Sequence, residues 1–123
     1  MTEANDTIFK TVPRGRFNPI YSDGSLNPVK VLQFLNLCQE DMKKLTGMKS
    51  VRLDDRMSDD LRLKILEIAN LIELTAQYFD NKPAKMKAWM LSHNPKLNNL
   101  RPIDWVKDNK IQELMLKMTS SEG

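Results

Sequence analysis

Few residues in this chain could do chemistry, and their spacing decides what chemistry that is. His93 is the only histidine. Nucleophile–base pairs and transition-metal sites need an imidazole with partners, and none stands near it in sequence. It reads as a histidine of a surface loop. Cys38 is the only cysteine. It lies between apolar Leu37 and polar Gln39, and its expected role is a small core filler. The acidic run Asp54, Asp55, Asp59 and Asp60 lacks the alternating spacing of a calcium loop and reads as the approach to a capped helix. Gly15, Gly24, Gly47 and Gly123 stand apart, so no glycine-rich phosphate cradle is present. The expectation is a protein that is not an enzyme and carries no metal or cofactor.

Binding chemistry is better represented. The net charge is +3, but contact with phosphates needs local clusters rather than an average. Residues 1–60 hold nine basic and nine acidic side chains, and residues 61–123 hold ten and seven. One local window is basic: Lys43, Lys44, Lys49 and Arg52. The segment LCQEDMKKLTGMKSVR, residues 37–52, has a short amphipathic helix, a glycine turn and a short polar stretch. That is the helix-turn-helix layout, which many plain helical hairpins share. In this layout Gln39, Lys43, Lys49, Ser50 and Arg52 are the candidate DNA-binding residues. A second basic triplet, Lys10, Arg14 and Arg16, reads more simply as part of a solvated tail.

These groups must be positioned by helices. With 123 residues the chain suits one domain, or two very small ones sharing a core. Scarce glycine and abundant Leu, Met, Lys, Glu and Gln favour helix. Residues 1–26 show no period and many turn formers, and read as a flexible arm with extended residues around Phe17 to Tyr21. Asn27 and Pro28 suit the N-cap and first position of a helix that turns Val31, Leu32, Phe34 and Leu35 inward. A second helix is expected from Gln39 to Leu45, stopped by Gly47, and a short third over 50–54. Ser58, Asp59 and Asp60 open a long helix, about 58–80, with Leu61, Ile65, Ile68, Ile72, Thr75 and Phe79 on one face. Further helices carry Met86, Trp89 and Met90, then Ile103 to Lys107, then Ile111, Leu114, Met115 and Met118. The expected fold is all-α: a compact helical bundle divided at 1–26, 27–57 and 58–123.

No apolar stretch approaches the roughly 20 residues needed to span a bilayer. No signal peptide is visible, and one cysteine gives no sign of an oxidising compartment. A cytoplasmic protein is expected.

The string AWMLSHNPKLNNLRPIDWVKDNKIQELM, residues 88–115, changes the functional reading. Trp89, Asn94, Pro95, Leu97, Arg101, Pro102, Asp104 and Val106 follow, in order and spacing, a pattern of several unlike residue types. A Trp with an apolar neighbour precedes an Asn-bearing loop with a Leu. An Arg-Pro-apolar-Asp step then opens a short helix before an Asn-centred turn and a final helix. This segment resembles the toxin-binding segment of the Xre/MbcA/ParS-type antitoxins. The likeness extends upstream through LRLKILEIANLIELTAQYF and covers about residues 27–119. The chain departs from the pattern at Asn98 and Asn99, where the family commonly has Gly-Gly; Asn tolerates positive φ, so the turn can survive.

The resemblance implies an antitoxin of a type II toxin–antitoxin pair. Its partner would be a RES-domain toxin that consumes NAD, and its C-terminal part would cover the toxin's active-site mouth. It also implies an N-terminal part that binds operator DNA and autorepresses the operon. Such binding is expected from a homodimer, because a helix-turn-helix monomer this small makes few phosphate contacts. The alternative is a DNA-binding transcriptional regulator without a toxin partner. Trp89, Trp105, Leu97 and Ile103 are expected in the core. The toxin contact is expected from the polar loop at 94–101, with Asn94, Lys96, Asn98, Asn99 and Arg101, and from the tail. There Glu122 and the Gly123 carboxylate would enter a basic dinucleotide site.

Overall fold

The computed structural model describes residues 17–54 and 56–120. A 3-10 turn (Asn18–Ile20) leads into a two-stranded hairpin: β1 (Tyr21–Ser22) pairs antiparallel with β2 (Ser25–Leu26). Asp23 and Gly24 make its two-residue turn with φ of 51° and 79°, the geometry that an Asp-Gly pair favours. Six helices follow: α1 (Pro28–Phe34), α2 (Gln39–Thr46), α3 (Asp59–Tyr78), α4 (Pro83–Met90), α5 (Pro102–Lys107) and α6 (Ile111–Ser120). The all-α expectation holds, with the hairpin as the sole sheet among the described residues.

Helices α1 and α3 start where the sequence supplies a cap. The Asn27 side chain accepts from the Lys30 N–H and Pro28 sits in the first turn of α1. Ser58 accepts from the Leu61 N–H, and Asp59 and Asp60 face the positive end of the α3 dipole. Helix α2 ends on Gly47 in the left-handed region, φ 74°.

Helix α3 is the spine. Its stretch from Leu71 to Ala76 is buried at every position, as expected of a helical segment enclosed on all sides. It packs against α1, α2, α4 and α6, while α5 bridges α2, α4 and α6. One buried cluster runs from Phe17 to Met118.

Two expectations are corrected. Part of the segment read as an arm belongs to the core: Phe17 and Ile20 are 1% and 0% exposed. The Phe17 ring meets Phe34 edge-on at 5.0 Å. Its N–H donates to both carboxylate oxygens of buried Glu73, at 3.0 and 3.2 Å. The third helix over 50–54 does not form. The Asp54 side chain accepts from the Arg56 N–H at 2.9 Å, and the Asp54 carbonyl from the Met57 N–H at 3.0 Å. These local bonds give the backbone an alternative to helix.

Candidate functional site

The C-terminal half builds a groove from three separate stretches of chain. The first is the end of α3, where Tyr78 and Phe79 close the helix. The chain reverses through Asp80 and Asn81, both left-handed with φ of 56° and 58°. The Asn81 N–H reaches back to the Ala76 carbonyl at 2.8 Å, and Pro83 then opens α4. This reversal sets Trp89 of α4 beside Phe79, with ring centroids 5.9 Å apart and planes inclined at 46°.

The second stretch is the loop after α4. Asn94 organises it three ways: its side chain accepts from the Lys96 N–H at 2.9 Å, its carbonyl from the Asn99 N–H at 3.0 Å, and its N–H donates to the Leu100 carbonyl at 3.0 Å. Pro95–Leu97 forms one 3-10 turn between these bonds. Asn98 and Asn99 then turn the chain with φ of 60° and 62°, so asparagine serves where glycine would be the default. Leu97 points into the core, and its carbonyl accepts from the buried Trp105 indole N–H at 3.2 Å.

Arg101 fixes the exit from the loop. Its Nε and a terminal guanidinium nitrogen donate to the two oxygens of Asp104 at 3.1 and 2.8 Å, and its backbone N–H adds a 3.0 Å bond. The Arg101 guanidinium, followed by the backbone N–H, holds the Asp104 carboxyl down to about 2 against a burial effect that would raise it.

The third stretch is the end of α6. Met118 is buried, Lys117 is exposed, and the Met118 carbonyl accepts from the Tyr78 hydroxyl at 3.3 Å. The three stretches enclose about 400 Å³ between Tyr78, Phe79, Trp89, Asn94, Lys96, Leu97, Lys117 and Met118. The wall is aromatic, the floor is apolar, and among the described residues both charged lining residues are cations. Lys96 and Lys117 are exposed and pair with no carboxylate among the described residues.

The structure thus brings Asn94 and Lys96 together with the end of α6. Asn98 and Asn99 are exposed at the turn but do not line the groove, and the Arg101 side chain is committed to Asp104. Glu122 and Gly123 lie outside the described residues. Leu97, Ile103 and Trp105 are core, as expected. Trp89 is not: it is partly buried and forms a wall of the groove. Tyr78, Phe79, Lys117 and Met118 are site residues that sequence reasoning missed. The signal was present at Tyr78 and Phe79, two adjacent aromatics just before a turn, but helical periodicity assigns such residues to the core.

The candidate DNA-binding residues are placed differently. Gln39 opens α2 and is exposed; Lys43 pairs with Glu40 at 3.3 Å. Lys49 and Ser50 are exposed on the irregular segment, and Arg52 pairs with Asp54 at 3.1 Å. The backbone N–H of Arg56, and after it the Arg52 side chain, hold the Asp54 carboxyl below its usual range. No recognition helix carries Lys49, Ser50 and Arg52.

Cys38 is corrected as well: it is exposed, not core. It occupies the N-cap of α2, where its N–H and thiol donate to Asp41 Oδ2 at 3.0 and 3.3 Å. His93 is exposed on its loop.

Among the described residues no helix is long and apolar enough to cross a membrane. Compared with models of known protein families, with characterised proteins and with solved structures, the chain gives no match.

Proposed function

We propose that this protein is a partner-binding module of the antitoxin kind, whose C-terminal face covers the active-site mouth of a RES-domain, NAD-consuming toxin. The observation that carries the reading is the groove. The residues that resemble the antitoxin pattern, Trp89, Asn94 and Leu97, converge with the end of α6 on one face. That face combines an aromatic wall with Lys96 and Lys117, neither of which meets a carboxylate among the described residues, and a ring-lined face suits a protein partner.

The left-handed Asn98 and Asn99 add support, since the resemblance expects glycine there and the backbone adopts the conformation glycine would take. A rigid scaffold presenting a polar loop is also the usual way in which binding residues are displayed. Autorepression through Gln39, Lys43, Lys49, Ser50 and Arg52 is no part of the proposal, because two of the three cations in that set are already paired with carboxylates.

Co-expression with the product of the adjacent reading frame tests the reading. A complex that survives size-exclusion chromatography is expected. Recovery of each protein alone would contradict it. Removing residues 121–123 separates two modes of occlusion. Covering by the groove face leaves complex formation and inhibition unchanged, whereas a tail that plugs the active site loses inhibition.

A further inference from the structure

The groove has more to say about the chemistry of what enters it. Its wall is formed by three rings, those of Tyr78, Phe79 and Trp89, and its floor by Leu97 and Met118. An apolar side chain placed there would be removed from water, the main source of affinity at a protein interface. Asn94, the one uncharged amide in the lining, spends its side-chain oxygen on the loop's own backbone. Among the described residues the only formal charges in the lining are Lys96 and Lys117, one on the loop and one on α6. Neither has a carboxylate partner among the described residues. The Lys117 ammonium lies 5.9 Å from the centroid of the Trp105 ring, a contact that holds it beside the groove without neutralising its charge.

We propose that this groove seats a segment of the partner protein in which an apolar or aromatic side chain is flanked by carboxylates, the side chain against Tyr78, Phe79 and Trp89 and the carboxylates on Lys96 and Lys117. The identity of that partner rests on the partner-binding reading above; the chemistry of the occupant rests on charge complementarity across the groove.

A single-stranded nucleic acid is the competing occupant of an aromatic, basic surface, and two features disfavour it. Strand binding needs a track of cations along the phosphates, and the described lining holds two. It also needs ring faces open for successive bases, whereas Phe79 and Trp89 are packed against each other at 5.9 Å.

The test uses the full chain and needs no toxin. The uniformly 15N-labelled protein is titrated by NMR with acetyl-Glu-Phe-Glu-amide, with acetyl-Lys-Phe-Lys-amide and with hexathymidylate. Trp89 and Trp105 are distinguishable, because the Trp105 indole N–H is bonded to Leu97. The acidic peptide is expected to shift the Trp89 indole and the Lys96 and Lys117 amides, and to bind at least about fivefold more tightly than the basic one. The double variant Lys96→Ala with Lys117→Ala alters two exposed side chains and should lose that preference while keeping its spectrum. Equal binding of the two peptides, binding of neither, tighter binding of hexathymidylate, or an acidic preference that survives the double variant would each overturn the proposal. If the acidic peptide binds here but no complex forms with the adjacent gene product, the antitoxin reading fails and the groove assignment stands. A complex that forms while the peptide is ignored gives the reverse.

Discussion

The indole N–H of Trp105 donates to the carbonyl of Leu97 at 3.2 Å, joining helix α5 to the loop that rims the groove. Both residues are buried, at 6% and 3% exposure, so water cannot replace the bond if it is lost. Trp105→Phe keeps much of the packing but leaves the carbonyl unpaired, and should cost about 1–3 kcal/mol in urea denaturation. Trp105→Ala also leaves a cavity and should cost about 3–5 kcal/mol. A Phe variant as stable as the parent would show that the bond contributes nothing.

The left-handed turn at Asn98 and Asn99 makes its own prediction. Asn98→Gly should change stability little, because glycine adopts φ near 60° without steric cost. Asn98→Val should cost about 1–2 kcal/mol, because a β-branched side chain clashes there. Thermal unfolding of the two variants side by side decides it. Equal midpoints would contradict the assigned backbone conformation.

Phe17 and Trp89 exchange the roles that their sequence contexts suggest. Phe17→Ala removes a fully buried ring and should cost about 3–5 kcal/mol. Trp89→Ala removes a ring that is only partly buried, and about 1–2 kcal/mol is expected. Chemical denaturation ranks them, and a larger loss at Trp89 would return that residue to the core.

This exchange shows where the sequence is legible. The periodic stretches, α3 above all, and the capped starts at Asn27 and Ser58 declare themselves because the information is local. Phe17 and Ile20 are buried by contacts with α1 and α3 that no local period encodes. The segment at 50–54 has the length for a helical turn, but Asp54 draws two backbone N–H groups into a turn of its own. The groove was half legible. Asn94 and Lys96 lie in one motif, whereas Tyr78, Phe79, Lys117 and Met118 join them only once α3, the loop and α6 have packed.

Asp104 gives a pH signature. Its carboxyl is held at about 2, against an ordinary value of 3.8, principally by the Arg101 guanidinium. Because the folded value lies below the unfolded one, the contribution to stability is complete above about pH 4 and is lost as pH falls towards 2. Carboxyl 13C titration should find Asp104 near 2, and Arg101→Ala should move it up towards the ordinary range. An Asp104 that titrates near 3.8 in the parent would remove the Arg101 clamp from the account.

The central claim, that this face covers the mouth of an NAD-consuming enzyme, is tested most directly by that enzyme's activity. The purified product of the adjacent reading frame is assayed for NAD loss against increasing amounts of this protein and of its Lys96→Glu, Lys117→Glu variant. The account predicts that NAD loss stops near equimolar protein, and that the charge-reversed variant must be added at a concentration at least about tenfold higher. NAD loss unchanged at any ratio, or equal protection by the variant, would contradict it.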